Sequence, residues 1–307
     1  MLAVRPSAWA ATALTLLVGA KAASPEDALA RVFVPYLIRQ LDPTGVIVSN
    51  LHGGGGFAAI EALAHADPGG ATLGWVATPA LPARMIDRGA DDLLGRITLI
   101  GAVEKEPIAI VSPTATPLGS VQDIVARAAE DAEAVPLGTP PPGSPPHLAA
   151  LRLQALAATR LNIVAFPSAA AARQAAVAGN VAAAALGLSS VIGDLREGRL
   201  AGLGIAAANR AEAFPDMPPL RDSGLDLSAV IKRGLAAPAG VAGPISQWLS
   251  RSLQAVTDDP AFRDQADASG FIAGWRDGAS WAREIQDERA ELAKIWATEP
   301  WLQEGAG

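Results

Sequence analysis

The chain has 307 residues, half of them apolar and only 18% charged, enough for two domains with substantial cores. Its net charge of −7, with Lys only at 21, 105, 232 and 294, excludes a protein that grips a phosphate backbone, and no apolar run reaches the length of a membrane span. The absence of Cys excludes a disulfide framework, thiolate metal sites and a Cys nucleophile; the His residues at 52, 65 and 147 form no ligand pattern, so neither a metal nor a cofactor is expected.

The first segment has two competing readings. Arg5, the apolar stretch 8–18 and Ala20-Lys21-Ala22 have the layout of a secretion signal with a cleavage site. Alternatively, residues 13–18 form a buried first strand, which such a cleavage would remove. Ser24-Pro25-Glu26-Asp27 then starts a helix, with a capping Ser, Pro at the first position and acids in the first turn. Leu29, Val32, Phe33, Tyr36 and Leu37 give it one apolar face, and Pro35 is expected to kink it.

Strands follow at 46–48, 72–76 and 97–102, with a glycine turn at 53–56 and a helix at 57–66. The alternation continues with strands at 108–111, 134–137 and 162–166 and helices at 121–130, 147–156 and 170–178. Short strands are read at 182–186, 202–206 and 235–237, and the remainder is helical: Ile245, Trp248, Leu249 and Leu253 share one face, as do Trp281, Ile285, Leu292 and Ile295. Strand–helix alternation implies parallel strands with helices on both faces. No linker separates two tandem halves, which favours two interleaved lobes.

Residues 138–148, Gly-Thr-Pro-Pro-Pro-Gly-Ser-Pro-Pro-His-Leu, are a run of turn formers that opens directly into a helix. Together with the loop before Ser24 this makes a second loop–helix junction. Each presents backbone N–H groups, a hydroxyl and the positive end of a helix, a combination that holds a carboxylate or phosphate without a metal. The pair points to a small anion caught between two lobes. Gly202-x-Gly204-x-x-Ala207 mimics a dinucleotide fingerprint but lies within a strand, so it is read as chance.

The motifs resemble the substrate-binding proteins of tripartite tricarboxylate transporters, the Bug family, over nearly the whole chain. The family's first strand and loop align without gaps on residues 14–31, keeping Asp27 and Arg31, although its Pro-Phe-x-x-Gly-Gly segment is Gly-Ala-Lys-Ala-Ala-Ser here. Asn50 and the glycines at 53–56 match N-x-x-G-A-G-G. Gly143, His147 and Leu148 match S-x-G-x-G-T-S-x-H-L. The fullest match runs from Gly198 to Arg210 and on through Pro215-Asp216-Met217-Pro218 to Leu225, followed by residues 234–240. The alignment favours residues 14–18 as the first strand, with any secretion signal upstream of Met1 or absent. Departures fall near the expected cleft: V-P-Y-K-G is Phe-Pro-Ser-Ala-Ala at 166–170, and the Asp of G-G-x-V-D is Ala182.

The resemblance implies an α/β, two-lobed periplasmic-binding-protein-like fold, a Venus flytrap in which each lobe is a mostly parallel sheet flanked by helices. Lobe 1 would comprise 1–105 and 233–307 and lobe 2 would comprise 106–232, with closure about crossovers near 103–110 and 228–236. It implies a periplasmic, non-enzymatic, monomeric protein whose partners are a small organic anion, a carboxylate, and a membrane permease. Candidate ligand contacts are Lys21 as a cation beside the first helix, the N–H groups of Ala22, Ala23 and Ser24, Thr78 after the third strand, Gly143 and Ser144 in the second loop, and Ser168 in place of the family's Tyr. Ser24 and Ser144 are equally readable as helix caps, and His147 either contacts ligand or holds its loop. His52 and the turn at 53–56 look like a phosphate nest but are read as structural. Two other functions are carried: a hydrolase using Ser144 and His147, and a degenerate homologue acting as a sensor or interaction protein.

Overall fold

The computed structural model describes residues 13–211 and 214–302; Arg5 and residues 8–12 of the secretion-signal reading lie outside them. The chain opens with β1 (Leu14–Val18), α1 (Pro25–Leu41), β2 (Val46–Asn50), α2 (Phe57–Ala64) and β3 (Thr72–Thr78). The strands pair in parallel in the order β2-β1-β3. β1 is thus an interior strand with Leu14, Leu16 and Val18 wholly buried, and cleavage after Ala22 would remove it. Ser24 caps α1 through Asp27 N–H, and the helix runs through exposed Pro35 to Leu41. Burying Phe33 and Leu37 on its inner face contributes about 2 kcal/mol each.

Two short helices, α3 (Ala80–Asp87) and α4 (Leu93–Arg96), lead to β4 (Ile97–Pro113). A second parallel set follows: α5 (Val121–Glu130), β5 (Pro136–Thr139), α6 (Pro145–Ala157), β6 (Asn162–Ala165), α7 (Ala169–Val177) and β7 (Ala183–Gly187), with β6-β5-β7 adjacent. After α8 (Leu188–Arg196) and β8 (Leu200–Ile205), β9 (Val230–Pro238) returns the chain to the first set. It ends with α9 (Gly243–Asp258), α10 (Pro260–Ser269), β10 (Ile272–Asp277) and α11 (Gly278–Thr298).

The result is a two-lobed α/β fold in which each parallel trio is extended by antiparallel strands. The sheet is therefore mixed: β9 lies antiparallel between β3 and β4, while β7, β8 and β10 are antiparallel to β4. β4 is the seam. Its first part pairs with β9 and β10 and its last part with β7 and β8. The sequence suggested two strands here, broken by Glu104-Lys105-Glu106-Pro107. One continuous strand of 17 residues forms instead, because the two acids turn inward onto Arg233 of β9 while Lys105 points to solvent. Helices α3, α4 and α8 were not read from the sequence either, being short, with Pro82 interrupting the pattern of α3, and β10 falls in the stretch after residue 237 that was read as helical.

Helices cover both faces of both sheets. Phe33, Trp248 and Phe262 fill one side of the first lobe, and Leu63, Met85 and Trp281 the other. In the second lobe Ile124 and Leu153 lie on one side, Ala176 and Val191 on the other. A further cluster of Ala83, Leu148, Leu151, Leu292 and Trp301 joins α3, α6 and α11 across the lobes, where Arg152 also meets Glu288 at 3.4 Å.

Candidate ligand-binding cleft

A cavity of about 420 Å³ lies where the C-terminal ends of β1, β2, β3, β5, β6 and β7 converge. In open α/β sheets ligands bind in this position, outside the carboxyl ends of the strands. β4 and β9 add Glu106, Ile231 and Arg233 to its wall.

The first-lobe loop is held from below. Buried Asp27 accepts hydrogen bonds from Ala23 N–H at 2.8 Å, Asn50 Nδ2 at 2.9 Å and Arg31 Nε at 2.9 Å, and Asn50 Nδ2 also donates to the carbonyl of Ala20. Burial pushes the Asp27 carboxyl up, but these donors outweigh it and hold it below its ordinary value. Three residues of the family motif therefore form the loop's scaffold. The same bonds correct part of the expected donor set. Ala23 N–H is taken by Asp27 and Ser24 N–H by the carbonyl of Lys21, while Ser24 Oγ caps α1. Ala22 and Ala23 are exposed and do not line the cavity. Lys21 does line it, and carries no ion pair among the described residues.

The second-lobe loop contributes Gly143 and Ser144 at the start of α6. Pro145 and Pro146 occupy the first two helical positions and have no N–H, so the first amide the helix can offer is that of His147. Ser144 is the N-cap by backbone geometry, yet its hydroxyl makes no capping bond; Oγ is buried in the cavity wall with no hydrogen-bond partner. A buried hydroxyl without a partner is costly. Ser168 also lines the cavity while its Oγ caps α7 through Ala171 N–H.

His147 and Thr78 do not line the cavity. His147 is buried under the loop, its Nδ1 accepting from Gly143 N–H at 3.4 Å, which places the proton of the neutral ring on Nε2. Thr78 is buried on the far side of β3, where Trp281 Nε1 donates to its Oγ1 at 3.3 Å. Alternation along β3 puts Ala77 toward the cleft and Thr78 away from it. The hydrolase pair is likewise not assembled, since Ser144 Oγ has no bond to His147.

Burial, reinforced by the positive charge of Arg84, pulls the His147 ring from 6.5 down to about 4. The folded value lies below the unfolded one, so its stabilising contribution is complete above pH 6.5 and is lost as pH falls through 4. Thermal melts between those limits are therefore expected to fall more steeply with acidification in the wild type than in His147→Gln; equal slopes would show that the ring is not held neutral.

Two features escaped the sequence reading. Arg84 of α3 lies in the wall with its side chain 7% exposed, Nη2 2.7 Å from Asp87 Oδ2 but outside hydrogen-bond geometry. Asp87 is fixed in turn by Trp301 Nε1 at 2.9 Å. The guanidinium reaches across the lobes, since a Cβ on Gly143 would overlap its Nη2. Arg233 is the second. Its Nε lies 2.8 Å from Glu26 Oε2, Nη1 3.2 Å from Glu104 Oε1 and Nη2 2.7 Å from Glu106 Oε2. Burial pulls this guanidinium down, but the three acids more than offset it and hold it above its ordinary value. Glu106 also receives Ser189 N–H and Oγ–H at the start of α8, so a protein carboxylate already occupies that helix N-terminus.

The comparisons agree with this architecture. A UPF0065 protein of Bordetella bronchiseptica is 28% identical over 303 residues, covering 96% of this chain and 88% of its own. A solved structure from R. palustris with adipate superposes with a TM-score of 0.83 at 19% identity, covering 94% of this chain and 98% of that one. MatC from Rhodopseudomonas palustris with bound malate gives 0.77 at 22%, covering 92% and 98%. Residues 29–298 match the model of the TctC family, described as the tripartite tricarboxylate transporter family receptor, and the chain belongs to that family.

Proposed function

We propose that this chain is an extracytoplasmic, periplasmic solute-binding protein that captures a small organic anion, a carboxylate, between its lobes and passes it to a membrane permease. The lobes are 1–105 with 233–307, and 106–232; closure takes place about β4 and β9. The protein acts as a monomer and as a binder, not an enzyme. Malate and adipate in the two superposed relatives support a carboxylate ligand.

The observation that carries this reading is Ser144 Oγ, a buried hydroxyl with no partner, on a residue of the cavity wall at the positive end of the 13-residue helix α6. A ligand carboxylate accepts from it, with Arg84 and Lys21 as nearby cations. Thermal-shift and calorimetric screening against mono-, di- and tricarboxylates is the test. Binding is expected, and Ser144→Ala is expected to weaken it about tenfold to a hundredfold, the range for a hydrogen bond to a charged group, without lowering the melting temperature of the unliganded protein. If no carboxylate raises the melting temperature, the reading fails.

A further inference from the structure

The charges around the cavity are unevenly distributed. Counted together its wall is not acidic, since Lys21, Arg84 and Arg233 stand against Glu26 and Glu106. They are, however, sorted. Beside Gly143 stands Arg84, which shares the single carboxylate of Asp87 with Arg88, at 2.7 and 3.9 Å, leaving positive charge in excess. Along β4 and β9 the balance reverses, with Glu26, Glu104 and Glu106 sharing the single guanidinium of Arg233. Burial pushes the Glu104 carboxyl up to about 8, and even without it the two acids that line the cavity outnumber Arg233.

One acid oxygen also lacks a donor. Glu106 is 1% exposed; its Oε1 takes both bonds from Ser189, while its Oε2, 2.7 Å from Arg233 Nη2, receives no hydrogen bond. The Glu26 side chain is bonded to Arg233 Nε and Trp75 Nε1 but remains 29% exposed. The indole of Trp75 lines the cavity beside it. Carboxylates next to an aromatic ring make a seat for a cationic nitrogen. The distal carboxylate of a dianion would meet like charge there, which is strongly unfavourable away from bulk water.

We infer that the ligand is a zwitterion, a carboxylate carrying a cationic nitrogen, with the carboxylate at Ser144 and Arg84 and the nitrogen at Glu26 and Glu106. This rests on the carboxylate-capturing reading and narrows it. The full chain is titrated with α-amino acids and with matched sets such as 5-aminopentanoate, glutarate and pentanoate, in shorter and longer versions. An amino carboxylate is expected to bind at least about tenfold tighter than the dicarboxylate and the monocarboxylate of its length. Glu106→Gln, whose amide oxygen can still accept from Ser189, is expected to erase that preference by weakening the amino carboxylate and strengthening the dicarboxylate; Glu26→Gln acts in the same direction.

Dicarboxylates binding tightest would overturn this inference and leave the carboxylate reading standing. So would a preference for amino carboxylates that survives both substitutions. Binding by none of the classes would overturn both.

Discussion

Arg233→Met is expected to be the most damaging single substitution in the seam, costing about 3–5 kcal/mol and lowering the melting temperature by roughly 10 °C. The side chain is 4% exposed and is the shared counter-ion of Glu26, Glu104 and Glu106. Methionine roughly fills the volume, so the loss isolates charge from packing. Removing the cation leaves three acids crowded together, and breaking a buried pair costs more than the pair was worth, because the remaining charge is stranded.

The sign of the pH dependence gives a second check. Without Arg233 the three carboxyls lose their cation, and Glu104, already pushed up by burial, is driven higher still. The stability they cost then grows as pH rises above the ordinary carboxylate range, so the deficit relative to wild type is expected to be larger at pH 8 than at pH 5. Adding Glu104→Gln and Glu106→Gln to Arg233→Met is expected to recover most of the loss. A single variant that melts like wild type at both pH values would show that the cluster does not hold β4 to β9.

The same cluster shows where the sequence was legible and where it was not. Periodicity carries α1 and both parallel trios, because apolar residues at helical spacing and short β-branched or Leu-rich runs report directly on burial. It fails at β4, where Glu104-Lys105-Glu106 reads as a charged break. A charge run reports on burial only once its partner is known, and Arg233 lies 129 residues from Glu104. The loop-scaffold residues Asp27, Arg31 and Asn50 were visible as a motif, but a motif does not say which bonds they make. Ala23 and Ser24 were thus credited with amide groups that Asp27 and Lys21 already occupy. Arg84 was missed for a different reason: it sits on a helix of eight residues containing Pro82, and its approach to the second lobe is a property of the fold alone.

That approach makes Gly143→Ala the other large expected effect. Gly143 has φ +73°, a left-handed conformation that costs an L-residue about 1–2 kcal/mol. Its new methyl group would overlap Arg84 Nη2 and meet Trp301 Cδ1 at 3.0 Å. The guanidinium cannot simply swing aside, since it is buried and paired with Asp87, which Trp301 also holds. Either Arg84 leaves its partner or the loop carrying Ser144 moves outward and opens the cavity. The combined loss is expected to be about 3 kcal/mol in stability, with carboxylate affinity falling at least tenfold. A double-mutant cycle separates the causes. In an Arg84→Ala background the methyl group is left with only the tight contact to Trp301 Cδ1, and Gly143→Ala should cost little more than the backbone share, about 1–2 kcal/mol. An equal cost in both backgrounds would show that Arg84 does not reach the second-lobe loop, and that contact is what places a cation beside Ser144.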